Sequence, residues 1–253
     1  MPDYLIPLIG GLISFIAAVI AAFAGGGYVL MMFPIFLLMI PGSYAGNLAL
    51  VKMGALAITV LGGQIHFRKS SIRWKILGPL TMGGFIGTGI GTYLIQYQFN
   101  EDLFKTLLGF TLLIGAFYLI VKREIGHERA HRRKINWRVL LEVFIYAMGI
   151  GVLNGLFGGV GIFTTLYLVF IFGLGFRTAI AYTMLSYLIV NGSQTAYLLT
   201  TETIDPHLAL YLVIGAGLGG FIGVHLQYSQ GSKYIKYVTI TLLLVLGITS
   251  LVN

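Results

Sequence analysis

Eight stretches of about 20 residues each, nearly free of charge, are separated by loops too short to hold a soluble domain. They run from Tyr4 to Ala24, Asn47 to Phe67, Ile76 to Gln96, Phe104 to Val121, Arg138 to Phe157, Thr178 to Thr200, Leu208 to Tyr228 and Tyr234 to Val252. A helix of that length crosses the hydrocarbon core of a bilayer, and inside lipid only such a helix or a closed barrel satisfies its own backbone. The pattern predicts an all-α polytopic membrane protein. Composition agrees: 9% of the 253 residues are charged and 57% are hydrophobic, which is too little charge to wet a soluble surface. No basic residue precedes the first stretch, so it reads as a retained span and not as a cleaved leader.

Two shorter apolar pieces follow glycine clusters. Tyr28 to Ile40 comes after Gly25-Gly26-Gly27, and Ile162 to Leu174 comes after Gly158-Gly159-Val160-Gly161. A helix of 13 residues reaches only about 20 Å, too short to span alone. A shift of 133 residues lays Gly25-Gly26 on Gly158-Gly159, and a shift of 132 lays Gly83, Gly87 and Gly91 on Gly215, Gly219 and Gly223. Two glycine patterns matching in the same order indicate an internal duplication. The expected units are a first transmembrane repeat over 1–121, a basic cytoplasmic linker over 122–137 and a second repeat over 138–253. Each repeat has four long helices and one short helix after a glycine break.

Charge sets the expected orientation of the halves, because Lys and Arg in short loops stay cytoplasmic. The loop Arg68 to Lys75 holds four basic residues and no acid, whereas its counterpart Thr201 to His207 holds two acids and no Lys or Arg. The next loop reverses the contrast, with Asn100-Glu101-Asp102 in the first half and Lys233 and Lys236 in the second. Matching loops therefore face opposite sides, which makes the chain an inverted repeat with both termini outside. Inversion requires an odd number of crossings per half, so each short piece either crosses at a tilt or forms a re-entrant hairpin. Eight plain crossings with parallel halves would put the two contrasting loops on one side.

Backbone that leaves the helix at membrane depth is tolerated where it is buried in protein or lines a wet cavity. The paired clusters Gly25, Gly26, Gly27 and Gly158, Gly159, Gly161 thus predict two helix breaks that face a shared interior, although small residues also serve close packing. The helices that restart near Tyr28 and Ile162 carry unsatisfied N–H groups and a partial positive charge, and together they suit one anion. Lys52 lies well inside a span, as a counter-charge for that anion or as a side chain that snorkels to the interface. Thr59 and His66 follow it on the same face; His66, beside the basic loop, is expected at the interface. Thr183, Ser186, Asn191 and Gln194 share one arc of their helix, facing the interior as substrate ligands or interhelical hydrogen-bonding groups. Asn154 is placed to line the pocket or to cap freed backbone. Glu142 is expected to pair with the linker, and it and His225 are weak candidates for a coupling proton. The glycine series at 83, 87, 91 and 215, 219, 223 is read as a close-packing stripe without chemistry.

With these residues in view, the chain resembles the sulfite exporter TauE/SafE family of membrane transport proteins. The resemblance is carried by AAFAGGG (Ala21 to Gly27) leading to Pro34, by Ala49-Leu50-Val51-Lys52 sixteen residues before Arg68, by NGLFGGVG (Asn154 to Gly161) and by Ala181-Tyr182-Thr183. Family members often read Ala-Thr-Asn-Lys where this chain has Ala-Leu-Val-Lys, so the lysine matches and two polar neighbours are replaced by apolar ones. The resemblance implies export or uptake of a small anion, typically a sulfur oxyanion or organosulfonate such as sulfite or sulfoacetate, across a prokaryotic cytoplasmic (inner) membrane.

The expected function is therefore secondary transport of a small anion by alternating access; the alternative is a passive anion channel or an accessory subunit of a membrane complex. A membrane enzyme is disfavoured: the spans hold no aspartate pair, and neither H-E-x-x-H nor G-x-S-x-G occurs. No G-x-x-x-x-G-K-[ST] occurs either, which argues against direct ATP coupling and leaves a coupling proton or sodium open. Nucleic acid is not an expected partner despite a net charge of +8, because most basic residues sit in two short inter-span segments. Without cysteine there is no disulfide frame. No cofactor is expected, and the residues do not fix the oligomeric state.

Overall fold

The computed structural model describes residues 5–40, 42–70, 72–94, 101–121, 135–230 and 232–252. Most of the expected linker, 122–134, lies outside them. Among the described residues the chain is all helix, with no strand. In chain order the helices are α1 (Leu5–Ala24), α2 (Tyr28–Met39), α3 (Tyr44–Lys69), α4 (Trp74–Leu94), α5 (Glu101–Val121), α6 (Trp137–Phe157), α7 (Gly161–Phe172), α8 (Phe176–Thr201), α9 (Pro206–Ser229) and α10 (Ser232–Val252). Within the described residues, the eight long stretches and the two short ones are each helical over most of their length.

Local chemistry explains several boundaries. Ser43 caps α3 by accepting from Gly46 N, Asn136 caps α6 by accepting from Val139 N, and Asp205 caps α9 with Pro206 in the first turn. α1 stops where Gly25, Gly26 and Gly27 take φ of 88°, 145° and 95°, and α6 stops where Gly158 and Gly159 take 69° and 72°. Residues with a Cβ rarely adopt such angles. α2 and α7, 12 residues each, extend only about 18 Å.

By length and composition, α1, α3, α6 and α9 can each cross a membrane unaided. Among the described residues these are four of the eight spans that the sequence predicts. α8 falls short because its interior face carries Thr183, Ser186, Asn191, Gln194 and Thr195, all buried, and α4 because it is rich in glycine. Both place their weakly apolar residues against protein, so the surrounding helices supply the burial.

The packing exchanges one helix between the sequence halves. α4 lies along α6 and α1 lies along α9, and these are the most extensive pairings in the chain. One bundle thus joins α1, α2, α3 and α9, and the other joins α6, α7, α8 and α4; they meet through α3 with α8, while α5 packs on α10, which also touches α1 and α8. The glycine stripes are what hold α4 and α9 in place. A Cβ at Gly83, Gly87 or Gly91 would run into the carbonyl oxygens of Phe144, Met148 and Val152 in turn. A Cβ at Gly215, Gly219 or Gly223 would do the same against Gly11, Phe15 and Val19. The second set of carbonyls is the first shifted by 133 residues, so the duplication extends to the packing.

Candidate functional site

The two glycine breaks touch each other. A Cβ at Gly26 would come within 2.6 Å of Ile162 N, at the start of α7, and one at Gly159 within 2.7 Å of Leu30 N, at the start of α2. Side chains are thus excluded where the short helices begin, and the two N-termini approach each other backbone to backbone. Neither start has a side-chain cap; the N-cap positions are Gly27 and Val160. The junction is tied across the halves by Thr165, whose Oγ1 donates to Gly25 O (2.9 Å) and meets Thr183 Oγ1 (2.9 Å).

A cavity of about 60 Å³ lies at this junction. One ordered water needs roughly 10–15 Å³, so the space suits a small polyatomic ion. Its wall includes Gly25, Gly26, Gly27, Tyr28, Asn154, Gly159, Gly161, Thr183 and Asn191, nine of the thirteen residues singled out from the sequence. The other four stand behind it. Gly158 packs on Val29 and Lys52, Ser186 Oγ donates to Thr183 O (3.0 Å), and Gln194 Nε2 donates to Gly155 O (2.9 Å), which joins α8 to α6.

Lys52 is fully buried, so the snorkelling alternative does not describe this structure. Its Nζ donates to Asn154 Oδ1 (3.1 Å) and to Asn191 Oδ1 (3.2 Å), one on α6 and the other on α8. Among the described residues it has no carboxylate partner. A buried, unneutralised ammonium is costly, which makes it a functional candidate and not a stabilising device.

Tyr28 reaches away from the junction and shares a hydrogen bond with Ser14 Oγ (2.7 Å), which also donates to Leu212 O (3.0 Å). Tyr187 and Thr59 complete the polar wall. Sequence reasoning had not picked out Tyr187, Thr165 or Ser14. The Thr164-Thr165 pair right after the second break was an available signal; a single tyrosine among fifteen was not.

Three further residues from the sequence lie away from the cavity. His66, expected at the interface beside the basic loop, has its ring buried in protein: its Nδ1 hydrogen-bonds Tyr228 Oη (2.9 Å), and its Nε2 has no partner among the described residues. The contact with α9 packs the ring inside the bundle although the next residues, Phe67 to Lys69, are exposed. Glu142 accepts from Tyr167 Oη (3.1 Å), and its expected linker partners lie outside the described residues. His225 is exposed and bonds Phe221 O on its own helix.

Known proteins can now be set beside this geometry. The profile of the sulfite exporter TauE/SafE family matches residues 10–250. The chain belongs to that family. Similar relatives all carry the name "probable membrane transporter protein". One from Haemophilus influenzae is 27% identical over 228 residues, covering 88% of this chain and 86% of the relative. YdhB of Bacillus subtilis is 26% identical, with 85% of each chain covered. YfcA of Escherichia coli is 28% identical, covering 91% of this chain and 85% of the relative. No solved structure matches. This TauE/SafE protein places its two breaks, its buried lysine and the small cavity between the two bundles, and a second cavity of about 480 Å³ lies beside Ser43, Asn47, Thr203 and Asp205.

Proposed function

We propose that this protein is a secondary transporter for a small anion, a sulfur oxyanion or organosulfonate such as sulfite, working by alternating access in the cytoplasmic membrane. The supporting observation is the pair of uncapped helix starts that converge on one small cavity backed by a buried ammonium. Each start offers free N–H groups and about half a positive charge, and a helix N-terminus is a ready anion site. Thr183, Tyr187 and Asn191 add polar side chains, whereas no carboxylate lines the wall. That balance favours an anion over a cation. The family description points the same way, to sulfite.

In this reading the halves are inverted repeats, as the opposed loop charges indicate, and residues 122–137 face the cytoplasm. Broken helices from inverted repeats meeting at mid-membrane are a common transporter build. The moving bodies are the two exchanged bundles, sliding along the contact of α3 with α8.

The test is transport of labelled sulfite by the purified protein in liposomes. Uptake should saturate and should accelerate when unlabelled sulfite is loaded on the far side, because a carrier returns faster with cargo. Unitary currents in planar bilayers, or uptake unaffected by the far side, would instead identify a channel and end the alternating-access reading.

A further inference from the structure

As a counter-charge, Lys52 ought to border the cavity, yet it contributes no atom to the wall. Its ammonium is spent on Asn154 Oδ1 (3.1 Å) and Asn191 Oδ1 (3.2 Å). An ammonium donates hydrogen bonds and accepts none. Any amide beside it must therefore turn its carbonyl toward Nζ and its NH2 away, which fixes an orientation that an asparagine otherwise leaves open.

The two asparagines then differ. Asn154 directs its Nδ2 to Thr88 Oγ1 (3.3 Å), which itself donates to Gly151 O (3.1 Å), so this amide is braced at both ends. Asn191 Nδ2 has no partner among the described residues, although Asn191 is only 5% exposed and lines the cavity beside the starts of α2 and α7. This NH2 is not sealed in protein but opens on the cavity, so it is left for the cavity's occupant to accept from.

Building on the anion-transport reading, we propose that Lys52 is a positioning residue and that Asn191 is the side chain that touches the anion. The ammonium holds the Asn191 amide so that its NH2 points at the guest already received by the two helix starts. Three donor groups then converge on the guest from three directions, along α2, α7 and α8. A pyramidal headgroup with three equivalent oxygens, sulfite or an –SO3 group, turns one oxygen toward each donor, whereas a planar carboxylate must serve all three with two coplanar oxygens, which accept enough hydrogen bonds but in poorer directions. The site thus selects sulfite and sulfonates over simple carboxylates.

The experiment is calorimetric titration of the purified full chain with sulfite and with acetate, in wild type, Lys52→Met, Asn191→Leu and the double variant. Sulfite should bind more tightly than acetate. Each single substitution should weaken sulfite binding about tenfold or more, the scale of a hydrogen bond to a charged group. The double should be no weaker than the worse single, since both act through one contact. Losses that multiply in the double would show Lys52 reaching the anion independently and overturn the assignment, as would unchanged sulfite binding in Asn191→Leu. Asn191→Asp keeps a partner for Lys52, and so guards against a variant that fails to fold; it should retain the wild-type melting temperature and lose sulfite, and retained binding would overturn the proposal. Wild-type protein that binds neither sulfite nor acetate would instead refute the anion reading itself and take this inference with it.

Discussion

Gly149 and Gly151 sit two residues apart on α6, and alanine at the two should have opposite consequences. At Gly149 an added Cβ meets nothing within 4 Å. At Gly151 it would lie 2.6 Å from Gly84 O, 3.0 Å from Thr88 N and 3.1 Å from Gly84 Cα, all backbone atoms of α4. An ordinary contact begins at 3.4 Å, so α4 and α6 would have to part by about 0.8 Å. That separation would loosen the whole stripe, including the Thr88 hydrogen bond to Gly151 O. Replacing a helical glycine gains roughly 1 kcal/mol of helix propensity, and the gain is common to both variants. Their difference therefore isolates the clash, about 1–3 kcal/mol for overpacking. At about 2–4 °C per kcal/mol for a chain of this size, Gly151→Ala should melt about 2–12 °C below Gly149→Ala in the same detergent. Equal melting temperatures, or a more stable Gly151→Ala, would refute the account of α4 and α6 as a close-packed pair.

Two more predictions concern motion and orientation. The chain lacks cysteine, so paired cysteines can be introduced cleanly. A Cβ at Gly217 lies 3.8 Å from Ala57 Cβ, a spacing that suits a disulfide between α3 and α9 inside one bundle, and locking Ala57→Cys with Gly217→Cys should leave sulfite exchange in liposomes largely intact. Leu56 and Gly192 face each other across the α3 and α8 contact, and bridging Leu56→Cys with Gly192→Cys by a short bifunctional thiol reagent should stop exchange; the reverse outcome would place the moving boundary elsewhere. For orientation, single cysteines at Lys69 and Glu202 should react with an impermeant thiol reagent from opposite sides of sealed vesicles, and labelling from the same side would dismiss the inverted arrangement.

Much of the fold was legible because lipid imposes a coarse rule. A run such as Ile76 to Gln96 must be helix, and a charged loop such as Arg68 to Lys75 must lie outside it. The glycine spacing announced tight packing at 83, 87 and 91 but not its partner. Nothing in the sequence tells α4 to pack on α6 of the other half, because the stripe is complementary to any helix with an accessible row of carbonyls. The choice is made in three dimensions, where α6 presents Phe144 O, Met148 O and Val152 O at matching rise. A reading by halves therefore matches the two glycine stripes to each other and misses the exchange of α4 and α9.

The candidate site divides along similar lines. Glycine clusters at Gly25 and Gly158 were readable as breaks, since three or more flexible residues in an apolar run have few other uses. The arc of Thr183, Ser186, Asn191 and Gln194 was readable as an interior face because lipid would penalise it, and all four are buried. Periodicity could not separate the members of that arc. Ser186 satisfies itself on its own helix, Gln194 braces α8 against α6, and only Asn191 combines a place at the cavity with an unspent NH2. The distinction depends on Lys52, which meets Asn191 only after α3 and α8 have packed. Sequence marks the lysine as costly; packing gives it two amide carbonyls as partners, and under the proposal above its role is to aim one of those amides at the anion.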